Sequence, residues 1–255
     1  MALDVRQFAC LDDNYGYLIR CSQTGACAAI DTPDAGRILA EARAMGWEIG
    51  EVWNTHHHFD HAGGNDEIRA QAGAAIAAPA AEAGAIGHVD RALSHGDTIR
   101  LGEQEAQVID VGGHTLGHIA YWFKHANVAF VGDALFALGC GRLFEGTPQQ
   151  MHASLSRLRA LPPETVIYCA HEYTAANARF ALSVDPENPA LQSYAERVAV
   201  ARDNNAPTVP TVLSAELEAN PFLRWDDPAL RARLGLESAE DWEVFAEVRR
   251  RKDSF

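Results

Sequence analysis

Short apolar runs, each closed by a glycine or a polar residue, fill the first two thirds of the chain. Runs of this length, rich in β-branched and aromatic residues, read as strands. They predict strands over Tyr15–Arg20, Ala26–Asp31, Glu51–Asn54, Gln107–Val111, Ile119–Phe123, Val128–Val131 and Val166–Cys169. Helical spacing between some of them predicts helices over Ala35–Met45 and Pro148–Leu161. From about Thr174 onward strand patterns thin out, and Leu191, Tyr194, Ala195 and Val198 fall at i, i+3, i+4 and i+7. The expectation is an α/β domain over residues 1–173, followed by a mainly helical domain over 174–255. Asp185–Pro189 reads as a loop leading into a helix with proline near its start. Ser238-Ala239-Glu240-Asp241 resembles a capping box opening a last helix that carries Trp242 and Phe245.

Composition narrows this picture. No stretch approaches the roughly 18 consecutive apolar residues of a membrane helix, and Met1–Gln7 shows no basic region followed by an apolar core. A cytoplasmic protein without membrane association is the expectation. A formal charge of −14 argues against a nucleic-acid partner, whose phosphates need a positive surface, but leaves an anionic small molecule open. The five cysteines include no C-x-x-C pair, which suits reduced core thiols better than a disulfide framework.

Candidate chemistry sits where strands end. Apolar runs finish just before His56, His114, Asp133 and His171, and strand ends can aim side chains into one cleft. Between them lies Thr55-His56-His57-His58-Phe59-Asp60-His61. Residues two apart in an extended segment point the same way, so His56 and His58 can grip one ion while His57 faces elsewhere. Asp60 and His61 can then reach a second. Imidazoles with carboxylates suit Zn²⁺, with iron and manganese as alternatives. His88, His95, His125 and His152 have no such company.

H-x-H-x-D-H followed by separate His, Asp and His residues resembles the signature of the metallo-β-lactamase superfamily. That resemblance implies an αββα sandwich and two divalent metal ions, one held by His56, His58 and His114, the other by Asp60, His61 and His171, with Asp133 bridging. Further strings are similar to the glyoxalase II (hydroxyacylglutathione hydrolase) family: Asp13-Asn14-Tyr15-Gly16-Tyr17, Gly113-His114-Thr115-Leu116-Gly117-His118, Gly132-Asp133-Ala134-Leu135-Phe136, Gly139-Cys140-Gly141-Arg142, Glu145-Gly146-Thr147, Tyr168-Cys169-Ala170-His171-Glu172-Tyr173-Thr174, Asn220-Pro221-Phe222-Leu223-Arg224 and the terminal Arg-Arg-Arg-Lys-Asp. They span essentially the whole chain.

The resemblance implies hydrolysis of S-(2-hydroxyacyl)glutathione, such as S-D-lactoylglutathione, to the 2-hydroxy acid and glutathione, in methylglyoxal detoxification by a monomer. A hydroxide between the metals would be the nucleophile, with Asp60 and Asp133 as catalytic ligands and His118 supporting them. A thiolate leaves without much help, because a thiol pKa is only about 8.5. The helical stripe of Trp242, Phe245 and Ala246 continues at Arg249, and Lys252 follows on the same face, whereas Arg250 and Arg251 are rotated about 100° and 200° away. Family resemblance gives Arg249 and Lys252 the glutathione, together with Arg142 and Tyr173. Arg142 stands where many relatives have lysine, and Phe144 where a tyrosine hydroxyl often meets glutathione. An iron-dependent glutathione persulfide dioxygenase on the same scaffold and a non-catalytic metal-binding protein are the rival functions. Retention of both half-sites and the long helical C-terminus weigh against the first; no partner-binding helix supports the second.

Overall fold

The computed structural model describes residues 2–255; Met1, the first residue of the segment that carries no secretory-signal pattern, lies outside them. Two compact units emerge. The first runs to Asp110 and resumes over Thr115–Gly132. It opens with β1 (Leu3–Cys10) and β2 (Asn14–Cys21), an antiparallel hairpin, and β2 pairs antiparallel with β3 (Cys27–Ile30). After α1 (Ala35–Met45) come β4 (Ile49–Trp53), α2 (Phe59–Ala62), α3 (Asn65–Ala72), β5 (Ala75–Pro79), α4 (Ala83–Ile86) and β6 (Arg91–Leu93). Strands β3 to β6 pair in parallel, so the sheet order is β1-β2-β3-β4-β5-β6. The unit ends in an antiparallel meander of β7 (Thr98–Leu101), β8 (Gln104–Asp110), β9 (Ile119–Phe123) and β10 (Val128–Gly132).

Alternation along the strands explains how these layers pack. On one face of the first sheet, Leu18, Ala29, Val52 and Ile76 join Ala35, Ile38, Leu39 and Ala42 of α1 in a buried cluster. Neighbouring positions point to the meander. Tyr17 meets Phe130 edge-on with ring centroids 5.5 Å apart, and Trp53 stacks on Phe123 at 5.8 Å. The helix layer is set by local chemistry: the Asp34 side chain caps α1 by accepting from Arg37 N, and Gly46 closes it in the left-handed conformation.

The second unit comprises Val111–His114 and Asp133–Phe255. It holds two short antiparallel pairs, β11 (Leu135–Phe136) with β12 (Gly139–Cys140), and β13 (Val166–Cys169) with β14 (Thr211–Val212). Its helices are α5 (Pro148–Arg159), α6 (Thr174–Val184), α7 (Pro189–Asp203), α8 (Leu213–Ala219), α9 (Pro228–Leu234) and α10 (Asp241–Asp253). Leu191, Tyr194 and Val198 of α7 pack with Leu138, Ala178, Ala181 and Ala219, as the helical stripe requires. Asn188 caps α7 ahead of Pro189. The last helix starts at Asp241 with Glu240 and Glu243 forming its capping box, two residues later than Ser238.

All five cysteines are buried, and none forms a disulfide. Burial pushes the Cys10, Cys27 and Cys169 thiols up to about 12. Among the described residues no helix is long and apolar enough to cross a membrane.

Candidate functional site

Four of the candidate ligands follow a strand, while Asp60 and His61 lie on the short helix α2. Asn54 and Thr55 lead from β4 to His56, Asp133 directly follows β10, His171 comes two residues after β13, and His114 four residues after β8. Delivery of Asp133 depends on Gly132, which has φ of +50°; a Cβ there would fall 2.6 Å from Thr55 Oγ1 and 2.7 Å from His118 Cε1. Only glycine meets both demands.

In the first unit, His56 Nε2 and His58 Nδ1 lie 3.0 Å apart, and His61 Nε2 lies 3.5 Å from Asp60 Oδ2. The opposite ring nitrogens are engaged elsewhere: His56 Nδ1 is 3.0 Å from Thr55 Oγ1, and His61 Nδ1 is 2.8 Å from Asp31 Oδ2. Asp31, at a φ of 56°, also accepts from Thr55 N at 2.7 Å and Thr55 Oγ1 at 2.8 Å. Such bonds fix the tautomer and turn Nε2 outward. Asn14 Nδ2 donates to Asp60 Oδ2 at 3.0 Å. His118 is buried, with its ring stacked on His56 at 4.5 Å and Nδ1 3.1 Å from the Ile119 carbonyl. His57 pairs with Glu82 at 2.9 Å through Nδ1, and its ring meets that of His58 edge-on with centroids 5.0 Å apart.

In the second unit, His114 Nδ1 lies 2.8 Å from the Arg142 carbonyl, leaving Nε2 3.4 Å from Asp133 Oδ2. The other oxygen, Asp133 Oδ1, is 3.4 Å from His171 Nε2. One carboxylate thus offers each oxygen to a different histidine, as a bridge between two ions requires. Ligand atoms bound at 2.0–2.1 Å around a tetrahedral ion stand about 3.3 Å apart. Spacings of 3.0, 3.5, 3.4 and 3.4 Å in these four pairs, made of imidazole and carboxylate, fit divalent metal.

The residues assigned to glutathione all belong to the second unit. Tyr173 stacks on His171 with centroids 4.7 Å apart, and the ring of Phe144, 62% exposed, meets that of His114 at 5.2 Å. The Arg142 guanidinium lies 6.0 Å over Phe144 and 3.7 Å from Asp253. Arg249 is buried, donates to the Cys140 carbonyl at 3.1 Å and pairs with Asp253 at 2.8 Å. Lys252 donates to the Ala176 carbonyl at 3.3 Å beside Phe180 and Phe255; burial above all, with Arg249 and Arg179 nearby, holds its pKa below the ordinary lysine value. Arg250 and Arg251 instead share Glu247.

Asp31, Asn14 and Glu82 are polar contacts to the candidate ligands or their neighbours that sequence spacing does not single out. His88 pairs with Asp66, His95 accepts from Asp110 N, and His152 packs on Trp225.

Residues 16–171 match the family described as the metallo-β-lactamase superfamily, and residues 172–255 match the hydroxyacylglutathione hydrolase C-terminus. The chain is 60% identical to the hydroxyacylglutathione hydrolase of Maricaulis maris (strain MCS10) over 98% of each chain. It is 55% identical to that of Erythrobacter litoralis (strain HTCC2594), covering 99% of this chain and 100% of the relative. Among solved structures, the BLEG-1 B3 metallo-β-lactamase is similar with a TM-score of 0.66 at 19% identity, covering 86% of this chain and 99% of that one; this is likeness of fold alone.

Proposed function

Because the chain belongs to the metallo-β-lactamase superfamily and, within it, to the hydroxyacylglutathione hydrolases, we propose that it hydrolyses S-(2-hydroxyacyl)glutathione thioesters, S-D-lactoylglutathione among them, to glutathione and the 2-hydroxy acid. What carries this is the match over both parts of the chain: a metal-binding hydrolase scaffold alone does not call for the segment over 172–255. The superfamily implies a pair of divalent metals. We assign zinc to it, with iron and manganese as alternatives on the same donors. His56, His58 and His114 would hold one ion, Asp60, His61 and His171 the other, and Asp133 would serve both. Residues 1–173 form the catalytic part and 174–255 the substrate-binding part of a cytoplasmic monomer that acts in methylglyoxal detoxification.

Bound there, the metals supply Lewis-acid chemistry, polarising a carbonyl and lowering the pKa of water toward about 7. The chain does the rest. Asp60, held by Asn14, accepts a hydrogen bond from the attacking water and aims its lone pair at the thioester carbon; the water gives up its proton to solvent as the C–O bond forms and the C–S bond breaks. Arg142, Phe144, Tyr173, Arg249 and Lys252 bind the glutathione part, the cations facing its carboxylates. The sulfur departs as a thiolate and takes up its proton from solvent, since a thiol pKa is only about 8.5.

Steady-state assays with S-D-lactoylglutathione, a simple lactone and a β-lactam test this. Turnover of the thioester alone is expected. Turnover of either alternative without the thioester would overturn the substrate.

A further inference from the structure

Glu82 has no place in the chemistry above, yet it is buried and accepts four hydrogen bonds. Its Oε2 accepts from His57 N at 2.7 Å and faces His57 Nδ1 at 2.9 Å. Its Oε1 accepts from Thr115 Oγ1 at 2.5 Å and Gly117 N at 2.8 Å. One carboxylate therefore ties together two loops that are separate in sequence. His57 lies between His56 and His58, and Thr115 is bonded to His114. We propose that Glu82 is the positioning residue for the three-histidine metal site: by clamping the backbone at His57 to the loop at Thr115–Gly117 it sets the angle at which His56, His58 and His114 meet the ion.

Three features favour a clamp over ordinary core filling. An ionised carboxylate away from water is costly unless each oxygen is satisfied, and here each oxygen takes two partners. Two of those partners are backbone N–H groups, which fix main-chain position rather than side-chain rotamer. Space has also been kept for the contact. A Cβ at Gly117 would lie 2.7 Å from Glu82 Cγ and 2.8 Å from Ala81 Cβ, so glycine is what lets the loop approach. Charge-assisted hydrogen bonds of this kind are about twice as strong as neutral ones.

The clamp rests on the assignment of His56, His58 and His114 to one ion. Glu82→Gln keeps the shape, but its amide NH₂ must oppose an N–H donor on one side, so one loop is released. The experiment titrates metal-stripped wild type, Glu82→Gln, Thr115→Ser and His58→Ala with Zn²⁺ against a chromophoric chelator, and records the melting temperature of each metal-free protein. Wild type is expected to bind two ions and His58→Ala to lose one of them. Glu82→Gln should bind one of the two about 10- to 100-fold more weakly, the usual effect of removing a group that orients ligands. Its metal-free melting temperature should stay near wild type, and Thr115→Ser, which keeps the hydroxyl, should bind as wild type. Wild-type zinc affinity in Glu82→Gln, with His58→Ala defective, would overturn the clamp and leave the ligand assignment standing. Equal weakening of both ions in step with a lower metal-free melting temperature would also overturn it, in favour of a general structural role. Wild-type binding in His58→Ala would overturn clamp and ligand assignment together.

Discussion

Asp133 and Arg249 show how a single position separates legible from hidden. Asp133 follows a strand end and was open to reading; the sequence could not say that its oxygens diverge toward His114 and His171. That divergence predicts that Asp133→Ala loses both ions, elemental analysis falling from about two per chain toward none, whereas His57→Ala stays close to two because its side chain turns to Glu82. Full metal content in Asp133→Ala would exclude a bridge. Arg249 was placed on the inward face by helical spacing, and it is buried; invisible in spacing was its bond to the Cys140 carbonyl. Arg249→Ala is therefore expected to raise KM several-fold with little change in kcat, as loss of uniform binding does, and to lower the melting temperature as well. Arg251→Ala, whose guanidinium pairs with Glu247, should leave KM unchanged. Glu82 and Asp31 carry no signal in the sequence, because an isolated acidic residue has no periodicity: one sits in an alanine-rich stretch, the other at a strand end like many turn residues.

Among the elements, α10 carries a pH dependence whose sign is fixed. Hydrogen bonding from Arg250 above all, against an opposing effect of burial and with help from Arg251, holds the Glu247 carboxyl at about 2, below the ordinary 4.5. A lowered folded-state value favours the folded protein above the unfolded value near 4.5, and this is lost as pH falls through about 2. Both arginine partners reach solvent, so the pair contributes at most about 1 kcal/mol. Glu247→Gln should thus lower the urea midpoint by a steady amount between pH 5 and 8, and the gap to wild type should narrow below about pH 4.5; a gap widening with acid would rule out the pairing. Elsewhere the predicted elements match closely where periodicity is strong: α1, β9 and β13 have the expected bounds. Edge and alanine-rich strands were missed. In β1 only Phe8 and Cys10 are buried, which blurs alternation, and β5 is Ala-Ile-Ala-Ala-Pro, whose small residues suit helix and strand alike.

At the scale of the molecule, strand patterns in the sequence give way to helical ones near Thr174, and the family matches meet at 171 and 172. The compact units follow a different line, with Asp133 onward grouped with the C-terminal helices. Sequence character cannot foresee this, since it reports local periodicity whereas compactness depends on which distant segments touch. On the proposed assignment the seven donors come from four stretches of chain, which makes metal binding a property of the folded molecule. An unfolded chain cannot present His56, His114, Asp133 and His171 together, so bound metal stabilises only the native state. Stability gained this way is RT ln(1 + [L]/Kd), about 4 kcal/mol for each ion at free metal 1,000 times Kd. Stripping the protein with a chelator should therefore abolish turnover and lower the melting temperature. Adding Zn²⁺ back should raise it again, and the rise should continue with the logarithm of free zinc after the sites are full, because occupancy saturates while linkage does not. Asp133→Ala should flatten that slope. A melting temperature independent of free zinc, in protein that regains activity with it, would mean that the ligands bind metal equally well before folding.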